Sequence, residues 1–281
     1  MNVLTTRLYN IVGIGNPTLD ILYTREGRKE FPGGATTNTI VMLQRFGLKT
    51  AMIGRVGEDE VGESLIKELD REGVDTTRIR REGSSARCYV TTTPEERETI
   101  RIEYYYPLEK LLKEDLNYIE SSECVLLSAV DPLFRSITSI SSEYSIKLFT
   151  KLQGIEQTNT QELLQSATID TIFGNEKEVG RIERILESLL KKETKILLTQ
   201  GKKGCKLYTN FGVKEYPGYQ VESVDPTGAG DAFAAGFIYG MVKGWNLDKS
   251  CDFANHVGAL ATTYYGARSK KLTLEEIWSL R

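Results

Sequence analysis

Short apolar runs that stop at glycine alternate along this chain with stretches where apolar residues recur every three or four positions. The runs Asn10–Gly15 and Thr50–Gly54 have the continuous hydrophobicity of strands buried on both faces of a parallel sheet. Asn38–Phe46 carries Ile40, Val41 and Leu43 ahead of Gly47, and Asp59–Glu72 carries Val61, Leu65 and Leu69 ahead of Gly73. Both segments predict helices ending in a glycine cap. Further runs at Cys124–Ser128, Ile146–Phe149, Asp170–Gly174 and Lys195–Gln200 alternate with helical patterns such as Lys177–Leu190. The whole predicts an α/β fold, doubly wound around a mostly parallel sheet. Two pieces break the alternation: Asp20–Phe31, and Arg87–Tyr106, where β-branched and aromatic residues flank a polar turn at Pro94–Glu98 and predict a hairpin. With no internal repeat or linker, residues 1–281 read as one domain carrying a small β lid, inserted at 20–33 and 86–106.

The 281 residues are 40% hydrophobic and 27% charged, with a net charge of −3. No run of Lys or Arg offers a footprint for nucleic acid or an anionic membrane, so small molecules are the expected partners. The longest apolar stretch, near Ala232–Val242, is too short to span a bilayer, and Met1–Asn10 lacks the plan of a signal peptide; a cytoplasmic protein is expected. Cys88, Cys124, Cys205 and Cys251 form no Cys-x-x-Cys pair and read as reduced, mostly buried thiols. His256 is the sole histidine and reads as a helix-surface residue without a catalytic role. A histidine triad or multi-histidine metal site is therefore hard to build, and chemistry falls to carboxylates, backbone amides and bound ions.

One segment concentrates such groups. Asp225-Pro226-Thr227-Gly228-Ala229-Gly230-Asp231-Ala232-Phe233 follows a predicted strand at Gln220–Val224 and leads into an apolar helix to Val242, closed by Lys243 and Gly244. A glycine turn at a helix start presents unpaired N–H groups beside the positive end of the helix dipole, which suits a phosphate. Asp231 in that turn would face the same spot and could take a proton from an attacking hydroxyl. A tight turn capped by Asp231 is an equally good reading of Gly-Ala-Gly-Asp alone.

Those nine residues, taken with Pro32-Gly33-Gly34, Asn38, Gly54-Arg55-Val56-Gly57-Glu58-Asp59 and Gly62, resemble the two signatures of the ribokinase-like, or PfkB, family of carbohydrate and nucleoside kinases. The resemblance covers nearly the whole chain and implies a ribokinase-like fold acting on ATP and Mg²⁺. It implies that Asp231 is the catalytic base and that the amides of Gly228, Ala229 and Gly230 steady the γ-phosphate. Asp20, Gly33, Gly34 and Asn38 match acceptor-binding positions. Asn175 and Glu178 match the family's Asn-x-x-Glu, the first for nucleotide phosphates and the second for Mg²⁺ through water. Thr199, Gly201 and Gly204 fall in its nucleotide loop and Asn255 at its adenine side. Asp225, Thr227, Ala261 and Gly266 fall where some members bind a monovalent cation such as K⁺. By itself, Asn175 with Glu178 three residues on is also a capping-box pattern.

The chain departs from the family at informative places. Ala35-Thr36-Thr37 stands where sugar kinases often have Lys-Gly-Ala, which argues against ribose as acceptor. Asp131-Pro132 follows Val130 where a Glu before Ser-Pro is usual, and Tyr264 and Lys270 are unusual in the cation loop. The lid tyrosines Tyr89, Tyr104, Tyr105 and Tyr106 suit stacking on a nucleobase, core packing or dimer contacts, and Arg87 and Arg101 suit the phosphate of a phosphosugar. The expected activity is phosphorylation of a sugar, sugar acid or polyol, with a nucleoside or phosphosugar as alternative acceptors. An inactive sugar sensor fits poorly with Asp231, Asn175 and Glu178 all present. A dinucleotide fold lacks its third glycine, Thr18 standing there, and no Gly-x-x-x-x-Gly-Lys-Ser/Thr occurs. The open β face of the lid allows a homodimer.

Overall fold

The computed structural model describes residues 7–93, 97–153, 159–268 and 272–279. Its strands are β1 (Tyr9–Ile14), β2 (Thr18–Thr24), β3 (Gly27–Gly33), β4 (Thr50–Val56), β5 (Asp75–Arg81), β6 (Ala86–Thr92), β7 (Arg97–Glu103), β8 (Ser122–Ser128), β9 (Lys147–Lys151), β10 (Thr171–Asn175), β11 (Lys195–Thr199), β12 (Gly204–Thr209) and β13 (Gly212–Pro217). Nine form one sheet in the order β13-β12-β11-β10-β9-β8-β1-β4-β5. From β5 to β11 the neighbours are parallel; only the β12–β13 edge is antiparallel. Alternate residues of each central strand pack to opposite sides. In β8, Cys124 and Leu126 join the core beneath the Ala229–Val242 and Leu247–Ala261 helices, and Val125 and Leu127 join the core on the other face.

The lid is a separate four-stranded sheet, β3-β2-β6-β7, with β2 and β6 parallel at its centre. The expected hairpin pairs Arg87 with Glu103 and Thr92 with Arg97; residues 94–96 of its turn lie outside the described residues, as does Lys270. Leu22, Cys88 and Val90, with Phe31 against them, give the lid a small core of its own.

The predicted strands other than Gln220–Val224, and the first two helices, are present with moved boundaries. The helix expected from Asn38 starts at Ala35, so Thr36 and Thr37 lie in its first turn, and Gly34 is its cap. The Glu60–Glu72 helix is capped by Asp59, which accepts from the Gly62 amide at 2.8 Å, and closed by left-handed Gly73. The expected helix Lys177–Leu190 is broken into Glu176–Gly180, a 3₁₀ turn Glu183–Ile185 and Leu186–Lys191. Gln220–Val224 is not a strand. The amides of Val224 and Asp225 bond instead to the Thr262 carbonyl, and this segment pairs with a helix end. No described helix is long and apolar enough to cross a membrane.

The large sheet reverses its strand order around β1: the chain goes out through β4 and β5 on one side and through β8 to β11 on the other. Clefts for ligands form at such a switch, beyond the carboxyl ends of the strands. The lid, inserted in two pieces after β1 and after β5, lines the cleft at that end.

Candidate active site

A cleft of about 500 Å³ opens there, lined among others by Asn16, Asp20, Asn38, Asp131, Lys151, Asn175, Glu178, Thr199, Gly228 and Asp231. A second hollow, of about 750 Å³, lies over the start of the Glu60–Glu72 helix and contains none of these groups. Asp231 enters the cleft from the first turn of the Ala229–Val242 helix, whose cap is Gly228 at φ 80°. Left-handed backbone suits glycine, and a Cβ there would collide with Ala267. The Ala229 amide donates to the Pro226 carbonyl at 3.1 Å, while the Gly230 and Asp231 amides have no backbone partner among the described residues. A helix start of this kind holds its free amides ready for an anion.

Both carboxylate oxygens of Asp231 are held. Asn38 Nδ2 donates to Oδ2 at 2.8 Å and Lys151 Nζ to Oδ1 at 2.6 Å. Asn38 is itself fixed by Arg268, fully buried, whose Nη1 donates to Asn38 Oδ1 at 3.0 Å while its other nitrogens bind Glu68. Asp20 is buried on β2, accepts from Thr18 Oγ1 at 2.7 Å, and has its carboxyl pushed up by burial. Gly33 passes so close that a Cβ on it would overlap the Asp20 carboxylate. The structure therefore gathers Asp20, Gly33, Gly34, Asn38 and Asp231 into one wall.

Asn175 and Glu178 line the opposite side and do form the capping box: Asn175 N donates to Glu178 Oε2 and Glu178 N to Asn175 Oδ1, both at 2.9 Å. Burial raises the Glu178 carboxyl. Thr199 reaches the cleft, but Gly201, Gly204 and Asn255 do not line it. Gly201 and Gly204 bracket an exposed 3₁₀ turn after β11, and Asn255 ties its helix to the end of β13 by donating to the Tyr216 and Pro217 carbonyls. His256, expected on the surface, is buried and stacked on Tyr219 at 4.3 Å. All four cysteines are buried and free. Asp225 is fully buried and accepts from Thr92 Oγ1 and the amides of Thr227 and Gly266; beside it, Thr227 Oγ1 is buried without a partner among the described residues.

Of the lid tyrosines only Tyr105 faces the cleft. Tyr89 lies against Arg101, Tyr104 against Arg87 and Tyr106 against Arg55. Arg87 and Arg101 are likewise away from the cleft; the lid cation that lines it is Arg97. Sequence reasoning missed Arg97, Arg268 and Lys151. Lys151 alone carried a legible signal, a lysine at the carboxyl end of an apolar strand where ligand groups sit in such folds.

The family model of pfkB carbohydrate kinases matches residues 19–274. A candidate sugar kinase of Pyrococcus horikoshii is 30% identical, covering 92% of both chains. A 5-dehydro-2-deoxygluconokinase of Clostridium beijerinckii is 24% identical over 96% of this chain and 92% of its own. The structure of Arabidopsis thaliana ribokinase with ribose and ATP superposes with a TM-score of 0.82 at 22% identity, covering 97% of this chain and 98% of that one. The chain belongs to the pfkB family of carbohydrate kinases and is a phosphotransferase with the ribokinase-like fold.

Proposed function

We propose that the protein transfers the γ-phosphate of ATP to a hydroxyl of a small carbohydrate, a sugar, sugar acid or polyol, with Asp231 as general base. The observation that carries this is the meeting of Asp231 with Asp20 and Asn38 at a helix start where the Gly230 and Asp231 amides have no backbone partner among the described residues. Asp20, Asn38 and the lid orient the acceptor. Its hydroxyl oxygen bonds to the γ-phosphorus, its proton passes to Asp231, and the bond to the ADP oxygen breaks with the electron pair leaving on ADP. The Gly230 and Asp231 amides, with that of Gly228, balance the charge on the moving group. That a relative is a 5-dehydro-2-deoxygluconokinase supports a carbohydrate acceptor.

Mg²⁺, when bound with the nucleotide, supplies charge to the phosphates; Glu178 would hold its water shell, since one carboxylate oxygen serves the Asn175 amide and the other stays open to the cleft. Asp225, Thr227, Ala261 and Gly266 fit a monovalent cation. The buried Asp225 carboxylate has no ion pair among the described residues, and the unpartnered Thr227 Oγ1 offers one more oxygen. Asn175 and Thr199 would take the nucleotide phosphates, and Gly201, Gly204 and Asn255 border the nucleoside end. Use of ATP fits a cytoplasmic protein. The exposed edge strand β7, with Ile100 outward, supports pairing of two copies through the lid, and sedimentation as a monomer would remove that part.

The test is ADP release with MgATP across neutral sugars, sugar acids, inositols, phosphosugars and nucleosides. A carbohydrate should turn over fastest, and Asp231→Asn should lose about 10³-fold in kcat while still binding ATP. Undiminished turnover by that variant refutes the assignment of the base.

A further inference from the structure

Lys151 is buried at the last position of β9, and its ammonium is the second cationic group, with Arg97, to reach the cleft wall. An ammonium has three N–H donors and no acceptor. Here all three are used: Asp231 Oδ1 at 2.6 Å, Thr39 Oγ1 at 2.6 Å and the Ala35 carbonyl at 2.9 Å. The lysine thus joins the middle of the large sheet to the base on one side and to the acceptor-binding helix start on the other. It arrives beside Ala35, the very position where a lysine is missing from the Gly33–Asn38 segment.

We propose that Lys151 is a positioning residue for the base, acting through Asp231 on the phosphoryl transfer; the proposal rests on Asp231 being that base. Geometry supplies the first half of the effect. With Lys151 on Oδ1 and Asn38 on Oδ2, the carboxylate cannot rotate, yet each oxygen keeps a lone pair for the acceptor hydroxyl, because a carboxylate has about four acceptor sites. Charge supplies the second half. Before reaction the ammonium and carboxylate balance one another. As the hydroxyl proton moves to Asp231, the carboxylate becomes neutral and the ammonium is left with an uncompensated positive charge beside the phosphoryl group in transit. That attraction is absent from the ground state and grows toward the transition state, so it raises kcat more than it tightens substrate binding.

The test replaces Lys151 by Met, which keeps the length of the stem and removes the charge. Kinetics with the best acceptor should show kcat lowered by about 10²-fold or more, with the KM values for acceptor and ATP within about threefold. Lys151→Cys, alkylated with bromoethylamine from the cleft that position 151 lines, rebuilds a lysine-like side chain; Cys124, Cys205 and Cys251 are buried away from that cleft, and treated wild type is the control for Cys88, which also lines it. Alkylation should restore at least a tenth of the wild-type kcat. A Lys151→Met kcat close to wild type, or failure of the alkylated variant to recover although its thermal unfolding matches wild type, overturns the proposal. Should Lys151→Met not fold, the alkylated and unalkylated Cys variants give the same comparison. Asp231→Asn, assayed in parallel, separates the two readings: its retained turnover would remove the base itself, whereas its loss beside an unaffected Lys151→Met would remove only the role of the lysine.

Discussion

Asp131 stands at the mouth of the cleft, where burial pushes its carboxyl up to about 6 and the bond from the Leu133 amide only partly opposes this. The folded protein therefore holds that proton more tightly than the unfolded chain, whose carboxyl titrates near 3.8. The cost of the buried charge is complete above about 6 and fades as pH falls toward about 4. Asp131→Asn should accordingly raise Tm at about pH 7.5 and lose that gain at about pH 4. The same variant should abolish an acid limb near 6 in kcat/KM for the acceptor if the ionised group binds it. A Tm gain that does not vary with pH would contradict the assignment. Gly33 makes the complementary case, where space rather than charge decides. Gly33→Ala must push the Asp20 carboxylate aside, so steady-state kinetics should give an acceptor KM raised about tenfold or more, with KM for ATP unchanged.

At the level of elements, β5 shows what hydrophobic patterning cannot find. Its sequence, Asp75–Arg81, is almost wholly polar, yet it is the edge of the large sheet. Arg78 and Arg80 converge on the buried Asp115 at 2.8 and 2.5 Å, and the second oxygen of Asp115 also accepts from the Leu112 amide. Removing one partner of a buried ion group strands the others, so Asp115→Ala should lower stability by about 3–5 kcal/mol in denaturant titration, without changing KM for either substrate. The buried strands β1, β4, β8, β10 and β11 were legible because residues hidden on both faces must be apolar, and the Asp59 and Gly73 caps because their chemistry is local. Gln220–Val224, with Val221 and Val224 among polar residues, also suggests a strand, but its partner is the end of a helix far along the chain. In the site, Asp231, Asp20 and Asn38 were legible through a motif. Arg97 and Arg268 were not, and Lys151 showed only as a lysine ending an apolar strand, since each enters from a different element and acquires meaning only where the sheet, lid and helix starts meet.

For the whole molecule the seam between the two sheets matters most. Thr92, at the end of lid strand β6, donates to Asp225 at 2.6 Å, and Phe31 of β3 packs where any side chain at Gly266 would stand, so the lid is anchored to the loop that leads into the Asp231 helix. Across that seam the lid presents Arg97, Ile102 and Tyr105 to the cleft. Lys151 is saturated by its three acceptors, but Arg97 lines the cleft with only Thr99 Oγ1 and Cys88 Sγ on its terminal nitrogens and no ion pair among the described residues. A guanidinium that faces the cleft in this way gains a charge-assisted hydrogen bond from an acceptor bearing a carboxylate beside its hydroxyls. Arg97→Met should therefore raise KM for a sugar acid at least tenfold more than KM for a neutral polyol. Tyr105→Ala, which removes only area and ring contact, should weaken both alike. Parallel steady-state measurements with one acceptor of each kind decide the matter. Equal losses for acid and polyol in Arg97→Met would mean that the lid arginine serves the fold of β7 and does not read the acceptor's charge.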